Sequence, residues 1–196
     1  ITPRNFVGAN VARVLLNPYL VMFTTRDALT SRIESDHILG VSDELQNGDT
    51  TVSVLALGGL STAANFDYLY VGSHLPFHGV RVNVGTNVNS IASTLTVNYP
   101  LGKTWTNITA TDGTSGTTTF DQDGNVTWTV PTGWAAVSLQ EMGDTKLAGY
   151  PFDAKLYWTR WQFSAALSAT VDVLEMRPMN RSTNYAELLA GATLSY

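Results

Sequence analysis

His74 and His78 stand four residues apart, the spacing that brings two metal ligands together on a helix. Pro76 between them and Gly79 behind them break any helix, so the segment reads as a loop entering a strand. No third ligand follows at metal-site spacing, and a hydrogen-bonded loop histidine is the expectation, with no metal required. Asp121-Gln122-Asp123-Gly124-Asn125 opens like a calcium loop, but its twelfth position is Thr132 where a bidentate Glu belongs. A hairpin turn explains these residues better, with Asp112 able to help only a casual surface ion. Glycoside hydrolysis needs two carboxylates flanking one bond, and nothing selects a pair from 16 acidic residues. There is no Gly-x-Ser-x-Gly elbow, no phosphate-binding glycine loop ahead of a helix and no His-Glu-x-x-His. The expectation is a protein that is not an enzyme and carries no cofactor. Asn107-Ile108-Thr109, Asn125-Val126-Thr127 and Asn180-Arg181-Ser182 fit the glycosylation pattern, which matters only in a chain secreted by a eukaryote.

The aromatic residues form the other constellation. Trp105, Trp128, Trp134, Trp158 and Trp161 fall in the second half of the chain. In Leu156-Tyr157-Trp158-Thr159-Arg160-Trp161-Gln162-Phe163 both faces of a strand would be aromatic. A central strand covered on both sides accounts for this, with Arg160 paired or leaning on a ring. Trp128 and Trp158 are therefore expected in the core. Trp161 fits the core and an open sugar platform or subunit contact equally well.

These residues are positioned by elements that the pattern makes visible. Of 196 residues only 14% are charged, the net charge is −5, and the three lysines are scattered. A phosphate-gripping surface would cluster basic residues, so nucleic acid is not an expected direct partner. No cysteine is present, which excludes disulfides, thiolate metal sites and cysteine nucleophiles. No apolar run reaches the ~20 residues that span a bilayer, so no membrane partner is expected. The first residues lack both signal-peptide character and an initiator Met, which suggests an earlier start or processing.

Residues 50–177 alternate with period two in short runs: Val52 to Ala56, Tyr68 to Val71, Val80 to Val84, Leu95 to Tyr99 and Val126 to Val130. Such runs, separated by turns and without long helices, predict an all-β fold, an antiparallel β-sandwich of jelly-roll type. Asp112-Gly113 and Asp123-Gly124 read as hairpin turns. Before the sandwich, Val7, Val11, Val14 and Leu15 have helical spacing, Tyr19 to Phe23 reads as a buried strand, and 27–38 reads as a helix ending near Gly40. After it, Ser182 caps a short helix through Tyr185, Leu188 and Leu189. The implied organisation is an N-terminal anchoring arm at 1–48, a sandwich at 49–177 and a C-terminal arm at 178–196.

One sequence of motifs is shared with a known group. Tyr70-Val71-Gly72-Ser73, Phe77-His78-Gly79-Val80 and Val88-Asn89 lead to Leu95-Thr96-Val97-Asn98-Tyr99. Gly102-Lys103-Thr104-Trp105, Asp112-Gly113-Thr114, Gly124-Asn125-Val126-Thr127-Trp128, Pro131, Trp134 and Tyr157-Trp158-Thr159-Arg160 follow. Over residues 66–170 this resembles a β-sandwich module of structural proteins in tailed bacteriophages. The resemblance implies a non-enzymatic virion component on the particle exterior: a capsid decoration or cement protein, or else a tail or neck accessory. Its partners would be further copies of itself, a trimer being one form, and virion proteins such as the major capsid protein. A carbohydrate-binding module using exposed aromatics, with a glycan as partner, is the alternative. The apolar terminal segments, in excess of what a sandwich needs, nominate Tyr19, Val21, Phe23, Tyr185, Leu188 and Leu189 as surface or partner contacts, and the aromatic strand adds Trp161.

Overall fold

The alternating runs at 68–71, 80–84 and 95–99 form strands, and that at 126–130 does so as far as Thr127. The computed structural model describes residues 19–25, 33, 38–46, 55–56, 60 and 66–179. In chain order the strands are β1 (Leu20–Thr25), β2 (Ile38–Gly40), β3 (Leu55–Ala56), β4 (Tyr68–Ser73), β5 (Gly79–Val84) and β6 (Leu95–Leu101). They continue with β7 (Thr104–Asn107), β8 (Thr111–Asp112), β9 (Gly124–Thr127), β10 (Tyr157–Phe163) and β11 (Asp172–Met179). One short helix, α1 (Leu139–Met142), stands among the described residues, with a 3-10 turn at Glu44–Gln46.

The strands form two antiparallel sheets, a six-stranded one ordered β2-β1-β4-β10-β6-β7 and a five-stranded one ordered β3-β11-β5-β9-β8. Their facing sides interlock in one core. Leu69, Val71, Val97, Trp161 and Phe163 come from the first sheet, and Val80, Val82, Val126, Val173 and Met176 from the second. The antiparallel sandwich expected from the alternation is present, while these pairings do not establish the jelly-roll winding.

The six-stranded sheet is buried on its other side as well. Val21, Phe23, Tyr68, Tyr70 and Trp158 form a second cluster with Leu139 and Leu156, covered by the segment that carries α1. That double cover explains why every residue of β1 and of β4 is buried. It also explains the aromatic strand: Trp158 and Trp161 lie on opposite faces of β10, and both are fully buried. Trp158 lies against Gly72, its cross-strand partner, where an added Cβ would meet ring carbon Cε3 at 2.6 Å. Only glycine leaves room for the ring there.

Three expectations need correction. The segment 1–48 is not wholly an arm, because β1 pairs with β4 along its full length and β2 pairs with β1. Those ladder bonds and the burial of both β1 faces make residues 20–25 part of the core. The helix expected over 27–38 is absent at the positions described: Ile33 bridges Thr145, and Ile38 opens β2. The Ile33 amide donates to the Asp144 carbonyl at 2.7 Å, a tertiary partner in place of an intrahelical one, and the other residues from 27 to 37 lie outside the described residues. Finally, Asp112-Gly113 and Asp123-Gly124 are not two separate hairpins. They close the neck of one loop, with the Gly113 amide donating to the Asn125 carbonyl at 2.9 Å. A Cβ on Gly124 would lie 2.1 Å from the Gly113 carbonyl oxygen, so the neck admits no side chain there. The helix expected near Tyr185, Leu188 and Leu189 and the spaced valines from Val7 to Val14 lie outside the described residues.

Candidate functional site

Three connections meet at one end of the sandwich: 85–94 between β5 and β6, 113–123 between β8 and β9, and 164–171 between β10 and β11. Loops held on a rigid sandwich are where binding residues concentrate. Asn89, 1% exposed, holds these three together. Its side-chain amide donates to the Ile91 and Thr119 carbonyls at 3.0 and 2.9 Å and to Thr118 Oγ1 at 3.1 Å. Its carbonyl oxygen accepts from the Ile91 amide at 3.1 Å and from the Ser168 amide and hydroxyl at 2.9 and 3.0 Å. All of the side chain's hydrogen-bonding capacity is used, and one residue stitches three loops.

Further ties fix the same end. Ser168 Oγ accepts from the Ser90 amide at 2.8 Å. Asp121 accepts from the amides of Gly116, Thr117 and Thr118 at 2.6, 2.7 and 3.0 Å and from the Thr117 hydroxyl at 3.0 Å. Those backbone donors, Gly116 foremost, hold its carboxyl at about 2, below the ordinary carboxylate value. Phe120 is fully buried at φ 60, a left-handed conformation that a bulky residue adopts only when its surroundings demand it. Its amide donates to Thr114 Oγ1 at 3.1 Å, and its carbonyl accepts from the Asn89 amide at 2.9 Å. Asn89, Thr118, Thr119 and Ser168 turn inward, while the loop crown turns Val88 and Ile91, 41% and 43% exposed, to solvent among polar residues such as Asn87, Ser90 and Thr117.

A second polar cluster lies on the covered side of the six-stranded sheet. Asp144 Oδ2 accepts from the Tyr70 hydroxyl and from Trp105 Nε1, both at 2.9 Å. The Arg160 guanidinium lies 4.0 Å from the same oxygen and over the Tyr68 and Trp105 rings, 4.4 and 4.7 Å from their centroids. Arg160 thus does both things expected of it, pairing and leaning on rings. Burial pushes the Asp144 carboxyl up despite donors and cation, and burial together with Asp144 pushes the Tyr70 hydroxyl well up. Perturbed groups of this kind often mark catalytic sites. Here the carboxylate is 9% exposed and spends its acceptors on Tyr70 and Trp105, which fasten the α1 segment to the sheet.

The nominated contact residues separate. Tyr19 is 45% exposed, and its hydroxyl donates to Asp43 Oδ1. Val21 and Phe23 are buried beneath the α1 segment, and Trp161 is sealed between the sheets, so none of the three offers this chain a surface contact. Their burial follows from the double cover of the six-stranded sheet. Tyr185, Leu188 and Leu189 lie outside the described residues. Trp128, Trp134 and Trp158 are also buried, which leaves the sugar platform without those rings.

The sequence reading missed α1, although its start was written in the chain. Ser138 and Glu141 form a capping box, and Gly143 ends the helix at φ 81. It also missed Asn89 as the organiser of the crown, for which no local signal exists. No family model, curated protein or solved structure matches this chain.

Proposed function

We propose that the chain is a non-enzymatic structural module of a tailed-bacteriophage particle, a decoration protein on the head exterior that docks through its loop crown. The observation that carries the reading is the crown itself. Buried side chains hold it from beneath, and it turns two aliphatic residues, Val88 and Ile91, to solvent. Ordering loops before contact removes much of the entropy cost of association, as a protein that must seat repeatedly on a particle requires. The sequence resemblance over 66–170 supports the particle assignment, and the low charge of the chain suits close subunit packing. The partners in this reading are further copies of the chain and other virion proteins.

The test is native mass by sedimentation, together with the identity of co-purifying proteins, for the wild type and for Val88→Asp/Ile91→Asp. Both substituted residues are exposed, so the variant should keep its melting temperature and lose its assembly. A wild type that stays monomeric at high concentration and recruits no virion protein ends the proposal.

A further inference from the structure

The outward face of the five-stranded sheet carries a pairing that the fold does not need. Val80, Val82, Val126 and Met176 point into the core, so Arg81, Asn125 and Arg177, all exposed, point away from it. The register sets Arg177 on β11 opposite Arg81 on β5, and Arg81 opposite Asn125 on β9. Directly opposed side chains have Cβ atoms about 4.5–5.5 Å apart, where like charges weaken the sheet. Glu175 relieves only one of them, accepting from Arg177 Nε at 2.6 Å and pairing with Nη2 at 2.5 Å. Among the described residues no acidic side chain pairs with Arg81. In a chain of net charge −5 this sets two guanidiniums side by side, with Glu175 and Asp123 nearby to balance their charge. A threonine at either place would suit the strand better.

An open groove of about 540 Å³ runs over this pair, lined by Arg81, Asp123, Asn125, Arg177, Pro178 and Met179. Guanidinium forks match carboxylates in a planar, bidentate way. Asn125 and Asp123 offer an amide and acceptor oxygens to hydroxyl groups, and Pro178 and Met179 offer apolar surface to the C–H face of a sugar ring. Asp123 is held in place by the Val84 amide, which donates to Oδ1 at 2.7 Å. With Glu175 it keeps two negative charges beside the arginines, which disfavours a dense polyanion such as nucleic acid. We infer that this groove binds an acidic polysaccharide bearing single carboxylates on its sugars, with Arg81 as the principal carboxylate contact and Arg177 as the second. This inference does not depend on the assembly reading, because its carboxylate contacts Arg81 and Arg177 lie on a sheet face and the aliphatic residues of the assembly reading, Val88 and Ile91, on a connection at the sheet end.

The experiment is calorimetric titration of the full chain with a galacturonic-acid oligomer, its uncharged methyl ester, inorganic phosphate and single-stranded DNA. The acidic oligomer should bind saturably, and the ester at least tenfold more weakly. Arg81→Gln should weaken binding at least tenfold with the melting temperature and sedimentation unchanged, and Arg81→Lys should fall between, since it keeps charge without the fork. Four results overturn the inference: no binding of the acidic oligomer, equal binding of the ester, indifference to Arg81→Gln, or tighter binding of phosphate or DNA.

Discussion

Asn89→Asp changes one atom's chemistry without changing the shape of the side chain, and the structure says it should be severe. In the wild type the amide nitrogen donates to the Ile91 and Thr119 carbonyls at 3.0 and 2.9 Å. An aspartate puts an oxygen there, facing two carbonyl oxygens in a site that is 1% exposed. Ionised, the new oxygen faces those two carbonyls while the other oxygen keeps its donors from Ile91 and Ser168; protonated, the new oxygen donates to one of the carbonyls. Keeping a carboxyl neutral at pH 7 when its unfolded form ionises near 3.9 costs about 4 kcal/mol, at about 1.36 kcal/mol per unit. The lost second donor adds about 1 kcal/mol. For this variant the folded pKa lies above the unfolded one, so the ionisation penalty is absent below about pH 4 and grows as pH rises. Urea unfolding should show the midpoint lowered by roughly 2.5 M at pH 7, taking a slope of about 2 kcal/mol per molar. The gap to the wild type, measured at the same pH, should shrink to a small fraction at pH 4. Hydrogen exchange at the Ser168 amide reports whether the loss starts in the crown. A variant as stable as wild type at pH 7, or a gap that ignores pH, would refute the claim that Asn89 holds the loops.

Three further outcomes are expected. Gly72→Ala should lower stability by about 1–3 kcal/mol in thermal melts, because the new Cβ would lie 2.6 to 3.0 Å from three atoms of the buried Trp158 ring; an unchanged melt would mean the ring is not seated there. The Asp121 carboxyl should titrate near 2 by NMR. Since its folded pKa is depressed, its contribution is complete above about pH 4 and lost as pH falls toward 2; a midpoint near 4 would show that the amides of Gly116, Thr117 and Thr118 do not hold it. Asp144→Ala should cost about 3–5 kcal/mol by chemical unfolding, because it strands the Arg160 cation, the Tyr70 hydroxyl and the Trp105 N–H together; a loss under 1 kcal/mol would show that Asp144 does not fasten the α1 segment.

What the sequence disclosed depended on how local the cause was. β5 shows alternation because one of its faces is buried and the other wet, and Val80, Arg81 and Val82 state that directly. β10 was half readable: aromatic side chains on both faces of one strand pointed to a core place for Trp158, while Trp161, equally open to a surface reading and nominated as a contact, is buried as well. The placement of β1 was not readable. A strand from Leu20 to Thr25 looks the same whether it reaches a neighbour or joins its own sheet, and its partner β4 lies more than forty residues on. Phe23, read as part of a buried strand, was nominated as a partner contact because nothing near it announces the cover supplied by Phe152 and Trp158. The crown was invisible for the same reason, since Asn89 finds Thr118 and Ser168 at separations of 29 and 79 residues. Short-range signals could have been used more fully, as the Ser138 and Glu141 capping box shows.

The pairing of β4 with β10 sets a timetable for the chain on the ribosome. β4 is complete at Ser73, and the strand that covers its other edge begins at Tyr157. About 84 residues separate them, and at roughly 5–20 residues per second that is roughly 4 to 17 s of synthesis. Throughout that interval Tyr68, Leu69, Tyr70 and Val71 have β1 on one side and an unpaired edge on the other, on a strand rich in β-branched and aromatic residues. Such an edge is a template for pairing with another nascent chain. Slowing translation lengthens the exposure, and crowding ribosomes on one message brings identical edges together. A polypeptide stopped anywhere between 74 and 156 keeps that edge open permanently, so truncated products should collect in inclusion bodies while the full-length chain remains in solution.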